Sequence, residues 1–293
     1  MIFLRLAPTA RKSTLAHRAE LRSAFTLIEL LVVIAIIGIL ASLLLPALSR
    51  SKARAQSVTC INNNRHLILA WTMYSDENSG RLVYNLGGDP ARKTFAPTQS
   101  ANWVNNVLDW ELTPDNTNAD FVSRSVLAPF ASFSLNIFHC PADRAVSDVQ
   151  RGAGWDRRVR SVSMNAMVGD PGALLQWGVN VNNPKYQQFI KDSDFRDAST
   201  IFVFLDEHPD SINDGYFLNI PYSQQWTDLP ASYHNGGGSF SFADGHTEVH
   251  RWRNDSTIRP PLPDAAGLPI ILHPDELSDL KWVLHHTSVD QDQ

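Results

Sequence analysis

Histidine and carboxylate residues in the last third of the chain are the first candidates for chemistry. His234 stands ten positions before the pair Asp244-Gly245, and a glycine-rich stretch lies between them, while Asp206 precedes both. A histidine with two carboxylates suits a hydrolase or a metal site. No Gly-x-Ser-x-Gly nucleophile motif is present, and no serine or cysteine stands out as a nucleophile. We therefore expect no catalytic residue, and we expect His234 and Asp244 to hydrogen-bond and hold this loop.

Two further groups of side chains have the composition of metal sites. One alternates along a predicted strand and offers the nitrogen and oxygen ligands that suit zinc or another transition metal, although such residues more often form a solvated sheet face. The other lies in the acidic loop at residues 206–215, whose oxygen ligands suit calcium, although the loop departs from the EF-hand pattern. Of these ions, calcium is the one that the sequence favours, and no cofactor is established by the sequence alone. The two groups are His246, Glu248 and His250, and Asp206, Asp210 and Asp214.

The first element that must position these residues is a long apolar helix. Residues 25–48 carry a single charge, Glu29. At about 1.5 Å per residue they span roughly 36 Å, enough to cross a bilayer. Five basic residues against one acidic residue precede them, which favours a cytoplasmic N-terminus and an exported remainder. Because a charge inside such a helix is costly, we expect Glu29 to have a partner.

The rest of the chain predicts an α+β domain. Apolar spacing continues the helix to residue 79, and Pro46 is expected to loosen it. Residues 80–253 form the exported domain and residues 254–293 a proline-rich loop with a short helix. The expected architecture is a long N-terminal membrane-spanning helix packed on an antiparallel sheet. Candidate strands lie at residues 161–164, 201–205, 239–243 and 246–252.

The last two candidate strands predict a hairpin. Asp244-Gly245 is a favoured dipeptide in two-residue turns. That turn pairs Phe242 with Thr247, and it pairs Phe240 with Val249. Because side chains alternate across a strand, the opposite face then carries the serines of the first strand together with His246, Glu248 and His250.

The charge balance argues against nucleic acid as a partner. The chain has 25 basic and 30 acidic residues, and residues 1–24 hold five of the basic and one of the acidic ones. Removing those 24 residues leaves 20 basic against 29 acidic residues, a net charge of −9. Neutralisation of phosphates dominates binding to nucleic acid, and this charge has the wrong sign for it.

The start of the apolar stretch resembles the processing site of type IV pilins and type II secretion pseudopilins. The matching residues, 24–31, read Ala-Phe-Thr-Leu-Ile-Glu-Leu-Leu. The resemblance implies that residues 1–24 are a basic leader. It also implies that a prepilin peptidase cuts between Ala24 and Phe25 and methylates the new amine of Phe25. That family prefers glycine where this chain has Ala24. Glu29 would then neutralise the amine of a neighbouring subunit, and Pro46 falls where many pilins have a proline.

A second resemblance covers most of the chain. The spacing of His234 and Asp244-Gly245, together with the pilin-like N-terminus, resembles a bacterial family of prepilin-like proteins named for an H-x9-DG pattern. Segments around residues 60–63, 140–143, 160–165 and 206–208 fit the same family. The resemblance supports filament-like export machinery and implies no reaction.

Two cysteines complete the candidate residues. Cys60 lies on the predicted helix and Cys140 lies in the exported domain. Outside the cytoplasmic membrane two thiols can form a disulfide. A bond between them would close a loop of about 80 residues and contribute about 4 kcal/mol in the chain-entropy model. The alternative is two unrelated buried thiols.

These observations predict a pilin-like structural subunit rather than an enzyme. The resemblance implies a prepilin peptidase, identical or related subunits, an inner-membrane assembly platform and membrane lipid as partners. It places the chain in the cytoplasmic membrane as a single-pass protein with a periplasmic or extracellular domain. The alternative is an exported module that binds metal or glycan, or hydrolyses a substrate, and uses a pilin-type anchor.

Overall fold

The computed structural model describes residues 26–95, 101–263 and 267–291. The predicted cleavage site between Ala24 and Phe25 lies outside them. The chain divides into two compact units, Met1–Leu48 and Ser49–Gln293. Helix α1 runs from Leu27 to Glu77, and Pro46 lies inside it. Among the described helices, α1 is the one that is long and apolar enough to cross a membrane, judged by length and composition.

In its described residues, the second unit adds four short helices and nine strands to the end of α1. The helices are α2 (Gly88–Lys93), α3 (Asp120–Ser123), α4 (Asp148–Gly152) and α5 (Leu277–Thr287). The strands are β1 (Val162–Asn165), β2 (Leu175–Gln176), β3 (Val179–Asn180), β4 (Phe202–Asp206), β5 (Tyr216–Phe217), β6 (Gln225–Trp226), β7 (Gly237–Phe242), β8 (Thr247–Arg251) and β9 (Ile270–Ile271). Short 3-10 helices cover Pro114–Asn116, Leu135–Phe138, Gly172–Leu174, Asp192–Asp194 and Pro274–Glu276.

Five of these strands form the central sheet in the order β5-β1-β4-β7-β8. Its neighbouring strands are antiparallel except for β1 and β5, which are parallel. Strands β2 and β3 form a separate pair, as do β6 and β9. The predicted fold class is therefore confirmed: a long apolar helix accompanies an α+β domain whose main sheet is mostly antiparallel.

Two apolar layers cover the two faces of the central sheet. Helix α1 contributes Leu67, Ile68 and Trp71 to the first layer, together with residues of β1 and β4. Helix α5 packs in the second layer against Phe240 and Phe242 of β7. The alternation of Ser239, Phe240, Ser241 and Phe242 along β7 sends the phenylalanines to the α5 side and the serines to the α1 side.

A β-bulge in β4 decides which face its last residue occupies. Phe202 pairs with Phe242 and Phe204 pairs with Ser241, so two steps on β4 match one step on β7. The extra residue puts Val203 and Phe204 together in the α1 layer and returns Leu205 to the α5 layer. A bulge re-aims the residues that follow it. As a result Asp206, which pairs with Val162 of β1, faces α1.

The β7–β8 hairpin is present, but its predicted register is wrong by one residue. Ser241 pairs with Thr247, and Phe240 pairs with Glu248. The loop has three residues instead of two, because the Phe242 N–H donates to the His246 carbonyl and encloses residues 243–245. Gly245 ends that loop with φ +90°, as is usual for three-residue hairpin loops.

Candidate assembly helix and buried Cys-His-Asp cluster

The first candidate site is the N-terminal end of α1, where Thr26 and Glu29 form a capping box. The Glu29 carboxylate accepts hydrogen bonds from the Thr26 N–H and hydroxyl, both at 2.8 Å. In return the Glu29 N–H donates to the Thr26 hydroxyl oxygen at 3.2 Å. This Thr-x-x-Glu arrangement satisfies backbone donors that the first turn of a helix leaves unpaired. The one charge of the apolar stretch is thus held by its own helix end.

The remainder of this stretch is an apolar surface. The large hydrophobic side chains of residues 27–48 are each between 45% and 78% exposed. Soluble monomers rarely leave a continuous apolar surface of this kind in water. The helix therefore requires lipid or other apolar helices around it.

The second candidate site is a group of four buried side chains in the second unit, which we call the Cys-His-Asp cluster. Their ligand atoms, two thiol sulfurs, a carboxylate oxygen and an imidazole nitrogen, all lie within 4.8 Å of one another. Among the described residues this is the one such group of three or more histidine, cysteine or carboxylate side chains. Its members are Cys60, Cys140, Asp206 and His234.

Helix α1 supplies Cys60 and also holds the loop that carries Cys140. Cys60 lies on the buried face of the helix, four residues before Asn64 and seven before Leu67. Asn63 donates to the carbonyl of His139 at 3.1 Å, and Gln56 donates to the carbonyl of Pro141 at 3.0 Å. The residues on both sides of Cys140 are therefore tied to α1.

Backbone geometry positions the other three members of the cluster. The Cys140 N–H donates to the Ser161 hydroxyl oxygen at 2.7 Å. Asp206 ends β4 and is turned toward α1 by the bulge. His234 precedes β7 in a turn closed by its N–H to the carbonyl of Gly237 at 3.1 Å. Four segments that are distant in sequence thus meet at one point.

Short contacts link the cluster in a chain. The Cys60 thiol donates to Oδ2 of Asp206 at 2.7 Å. Nε2 of His234 lies 3.5 Å from the Cys140 sulfur and 3.7 Å from Oδ2 of Asp206. Within the described residues, Oδ1 of Asp206 and Nδ1 of His234 have no hydrogen-bond partner, although both atoms are buried.

The acid–base properties of the cluster follow from burial and these contacts. Burial, reinforced by Cys140 and Asp206, raises the pKa of Cys60 well above its ordinary value. Burial also raises the pKa of Cys140, but hydrogen bonds with Cys60 and His234 outweigh it and the net shift is downward. Burial lowers the pKa of His234, whereas its bonds to Asp206 and Cys140 raise it to about 9.

Burial also limits what the cluster can do. Cys140 and Asp206 are fully buried, Cys60 is 1% exposed and His234 is 4% exposed. A nucleophilic cysteine needs access to its substrate. This arrangement favours a structural or metal-binding role over nucleophilic catalysis.

The structure corrects two predictions about these residues. The predicted disulfide is not formed: both cysteines are free, since Cys60 bonds to Asp206 and Cys140 contacts His234. The predicted hydrogen bond between His234 and Asp244 is also wrong. Asp244 lies in the hairpin turn, and its carboxylate accepts a hydrogen bond from the backbone N–H of His246 at 3.0 Å. Aspartate side chains commonly bond to the backbone two residues further on in turns, and this local bond is formed instead of one to His234.

The two groups of predicted metal ligands are not brought together. His246 stacks on Phe242 at 4.2 Å between ring centroids, and His250 stacks on Trp282 at 3.7 Å. The one-residue shift in register explains this, because it turns these histidines toward the aromatic side of the sheet. Glu248, between them, is exposed.

The three carboxylates of the acidic loop also have separate partners. Asp206 joins the Cys-His-Asp cluster, Asp210 accepts from the Leu262 N–H at 2.8 Å, and Asp214 accepts from the Tyr216 N–H at 2.8 Å. Each carboxylate is used by a different part of the fold, so these three do not form the expected calcium site.

A second buried group, a charged network around Arg160 and Glu207, is not among the sites predicted from the sequence. Arg160 donates to Asn106, to Ser163 and to the carbonyl of Asp214. Burial raises the pKa of Glu207 to about 8, against the hydrogen bonds of two serines and the attraction of Arg160. Burial likewise lowers the pKa of Arg160 to about 10. The available signal was the charged run at residues 206–208 directly after an apolar strand.

Comparison with known proteins agrees with the N-terminal candidate. Residues 21–45 match the family described as Prokaryotic N-terminal methylation motif. The comparisons with curated proteins and with solved structures gave no match. The motif indicates a pilin-like protein that a prepilin peptidase processes and that is anchored in a membrane by its apolar helix.

Proposed function

We propose that this chain is a structural subunit of a type II secretion or type IV pilus-like filament. A prepilin peptidase would trim it between Ala24 and Phe25 and methylate Phe25, and an inner-membrane platform would assemble it with identical or related subunits. The observation that carries the proposal is the exposed apolar helix with its single charge, Glu29, inside the matched methylation motif. The spacing of His234 and Asp244 supports a place among the H-x9-DG prepilin-like proteins.

The physical basis of the proposal is the pairing of two charges. Cleavage creates a positive amine at Phe25, and the Glu29 carboxylate of a neighbouring subunit would neutralise it. A charge pair is tolerated in apolar surroundings where a single charge is not. Contacts of this head-to-tail kind do not close, and repeated contacts build a helical filament. The domain would then lie outside the cytoplasmic membrane and have no catalytic role of its own.

The first test is the mature N-terminus. We expect mass spectrometry of the full chain, expressed beside a prepilin peptidase, to find a methylated Phe25. Ala24→Gly is the matched control, because it restores the residue that the family prefers and should be processed at least as completely. An intact leader in both proteins would favour an exported binding module with a simple membrane anchor.

The second test separates charge pairing from helix capping. Glu29→Gln removes the charge, yet glutamine can still accept the capping-box bond. Thr26→Ala weakens the box and keeps the charge. We expect Glu29→Gln to reduce incorporation into filaments by about tenfold or more, equivalent to at least about 1.4 kcal/mol, and Thr26→Ala to have a smaller effect. If Glu29→Gln is incorporated normally while Thr26→Ala is not, capping rather than charge is what assembly requires.

A further inference from the structure

We propose that the Cys-His-Asp cluster binds one zinc ion and that this ion joins helix α1 to the exported domain. The proposal concerns Cys60, Cys140, Asp206 and His234, and it is independent of filament assembly. It rests on the spacing, chemistry and burial of the four ligand atoms.

The spacing of the cluster matches a tetrahedral site. Zinc lies about 2.3 Å from sulfur and about 2.0–2.2 Å from nitrogen or oxygen, so the ligands of an ideal tetrahedron are about 3.3–3.8 Å apart. Nε2 of His234 lies 3.5 Å from the Cys140 sulfur and 3.7 Å from Oδ2 of Asp206. The Cys60 sulfur is 2.7 Å from Oδ2 of Asp206, so this edge must lengthen by about 0.8 Å when the thiol proton that bridges it is replaced by the ion. All four ligand atoms lie within 4.8 Å of one another, close enough to surround one ion after small side-chain adjustments.

The chemistry of the donors favours zinc over calcium or magnesium. Two sulfurs, one imidazole nitrogen and one carboxylate oxygen form a set that suits zinc, whereas calcium and magnesium prefer oxygen alone. With both thiols ionised the cluster carries three negative charges and a neutral imidazole. A divalent cation neutralises two of those charges, which compensates for burying a carboxylate that has only partial hydrogen bonding.

The position of the cluster indicates a structural role for the ion. Four protein ligands close a zinc site and leave no position for a substrate. The ligands come from α1, the loop after Leu135–Phe138, the end of β4 and the turn before β7. Cys60 is 146 residues from Asp206, and Cys140 is 94 residues from His234. An ion at this point would stabilise contacts between segments that are far apart in sequence.

The test uses the full chain in detergent micelles, reduced, treated with a chelator and then titrated with zinc alone. We expect one zinc ion per chain by elemental analysis and a rise in the melting temperature of about 10 °C at saturating zinc. Cobalt in place of zinc should give a thiolate-to-cobalt charge-transfer band. A reduced wild-type chain that binds no zinc would overturn the proposal.

Variants distinguish the cluster from other zinc sites. The double change Cys60→Ser with Cys140→Ser should abolish the cobalt band and the zinc-dependent rise in melting temperature. Asp206→Asn and His234→Gln should each weaken zinc binding by about tenfold or more. Their matched controls are Asp214→Asn and His250→Gln, a carboxylate and an imidazole that are both half-buried and lie outside the cluster, which should keep zinc affinity within about twofold.

Two other results would also overturn the proposal. One is zinc binding that survives the double cysteine change, because the ion would then lie elsewhere. The other is an intact mass, measured without reducing agent on protein from the exported location, that is lower by two hydrogens. That mass would show a Cys60–Cys140 disulfide in place of a metal site. The zinc experiment does not measure cleavage or filament assembly, so a negative result leaves the proposed pilin-like function unaffected. A negative result in the cleavage or assembly tests likewise leaves the zinc site unaffected.

Discussion

Helix α1 carries two contrasting surfaces along its 51 residues. Residues 27–48 expose apolar side chains on all sides, and their one charge, Glu29, is held by Thr26 three positions away. From Cys60 onward the helix instead buries a single face, and buried polar groups on that face have distant partners. Cys60 bonds to Asp206, and Asn64 donates to Ser239 at 2.7 Å.

The contrast shows two ways of accommodating polar groups in apolar surroundings. A local capping box needs only the first turn of a helix, so it forms without any contribution from the folded domain. The Cys-His-Asp cluster needs the whole domain to be folded, because its members are brought together by the sheet. Under the proposed function, the exposed first half of α1 is available for assembly, and the second half stabilises the domain.

The largest expected effect comes from making the same substitution in both halves. Leu67 is fully buried and Leu43 is 70% exposed. We expect Leu67→Ala to lower the free energy of unfolding of the domain by about 2–5 kcal/mol, since it leaves a cavity in the core. Leu43→Ala should change it by less than about 0.5 kcal/mol. Denaturant unfolding of the full chain in micelles measures both.

Each variant is the control for the other, because helix, residue type and change in helix propensity are the same. Similar losses of stability in both would mean that residues 27–48 contribute to the folded domain, and the contrast between the two halves would be wrong. If only Leu43→Ala reduces filament incorporation, the contrast between the two halves of α1 is strengthened.

The local features of this protein could be predicted from its sequence. The apolar stretch, the charge within it and the prepilin-type motif are contiguous, and each of the four predicted strands overlaps an observed one. Asp244-Gly245 identified the hairpin, but not its register. That dipeptide fits both a two-residue loop and the three-residue loop that forms, and a one-residue difference changes which face each side chain occupies.

The Cys-His-Asp cluster could not be predicted, although each of its residues drew attention. The cysteines suggested a disulfide, Asp206 suggested calcium, and His234 with Asp206 and Asp244 suggested a hydrolase or metal site, but no pattern linked the cysteines to the other residues. Their convergence depends on the bulge in β4 and on the strand order of the sheet, and neither is encoded in a short pattern. Without the bulge, Asp206 would face the α5 layer instead of Cys60.

The next prediction concerns pH and applies to the second unit alone, where Glu207 is buried beside Arg160. The folded-state pKa of Glu207 is about 8, against an ordinary value of 4.5. Between these pH values the Glu207 carboxyl is protonated in the folded chain and ionised in the unfolded chain. The stabilisation that this group contributes is therefore fully present below about pH 4.5 and is lost as the pH rises to about 8. We expect this group to contribute a fall of at most about 1.4 kcal/mol per pH unit, measured by denaturant unfolding across this range.

Glu207→Gln should make the fall shallower, because glutamine does not titrate. The raised pKa values of Asp214 and Asp228 add to the slope with the same sign, so part of the fall should remain in the variant. Arg160, with its pKa lowered to about 10, acts only above this window. An unchanged slope in Glu207→Gln would show that Glu207 is ionised in the folded domain throughout the range.

The smallest expected effect concerns the loop of the β7–β8 hairpin, which is a local feature of the second unit. Gly245 ends the hairpin loop with φ +90°, and the position that a β-carbon would occupy has no other atom within 4 Å. An alanine there meets no neighbour, so its cost comes from the backbone conformation alone, and we expect a loss of about 1–2 kcal/mol in the free energy of unfolding. Gly152, at the end of α4, also has open space but does not need a positive φ. Gly152→Ala should therefore be neutral or slightly stabilising. If the two variants unfold at the same denaturant concentration, the loop does not hold Gly245 in the left-handed region. The observed register, and with it the placement of His246 and His250 on the aromatic side, would then be wrong.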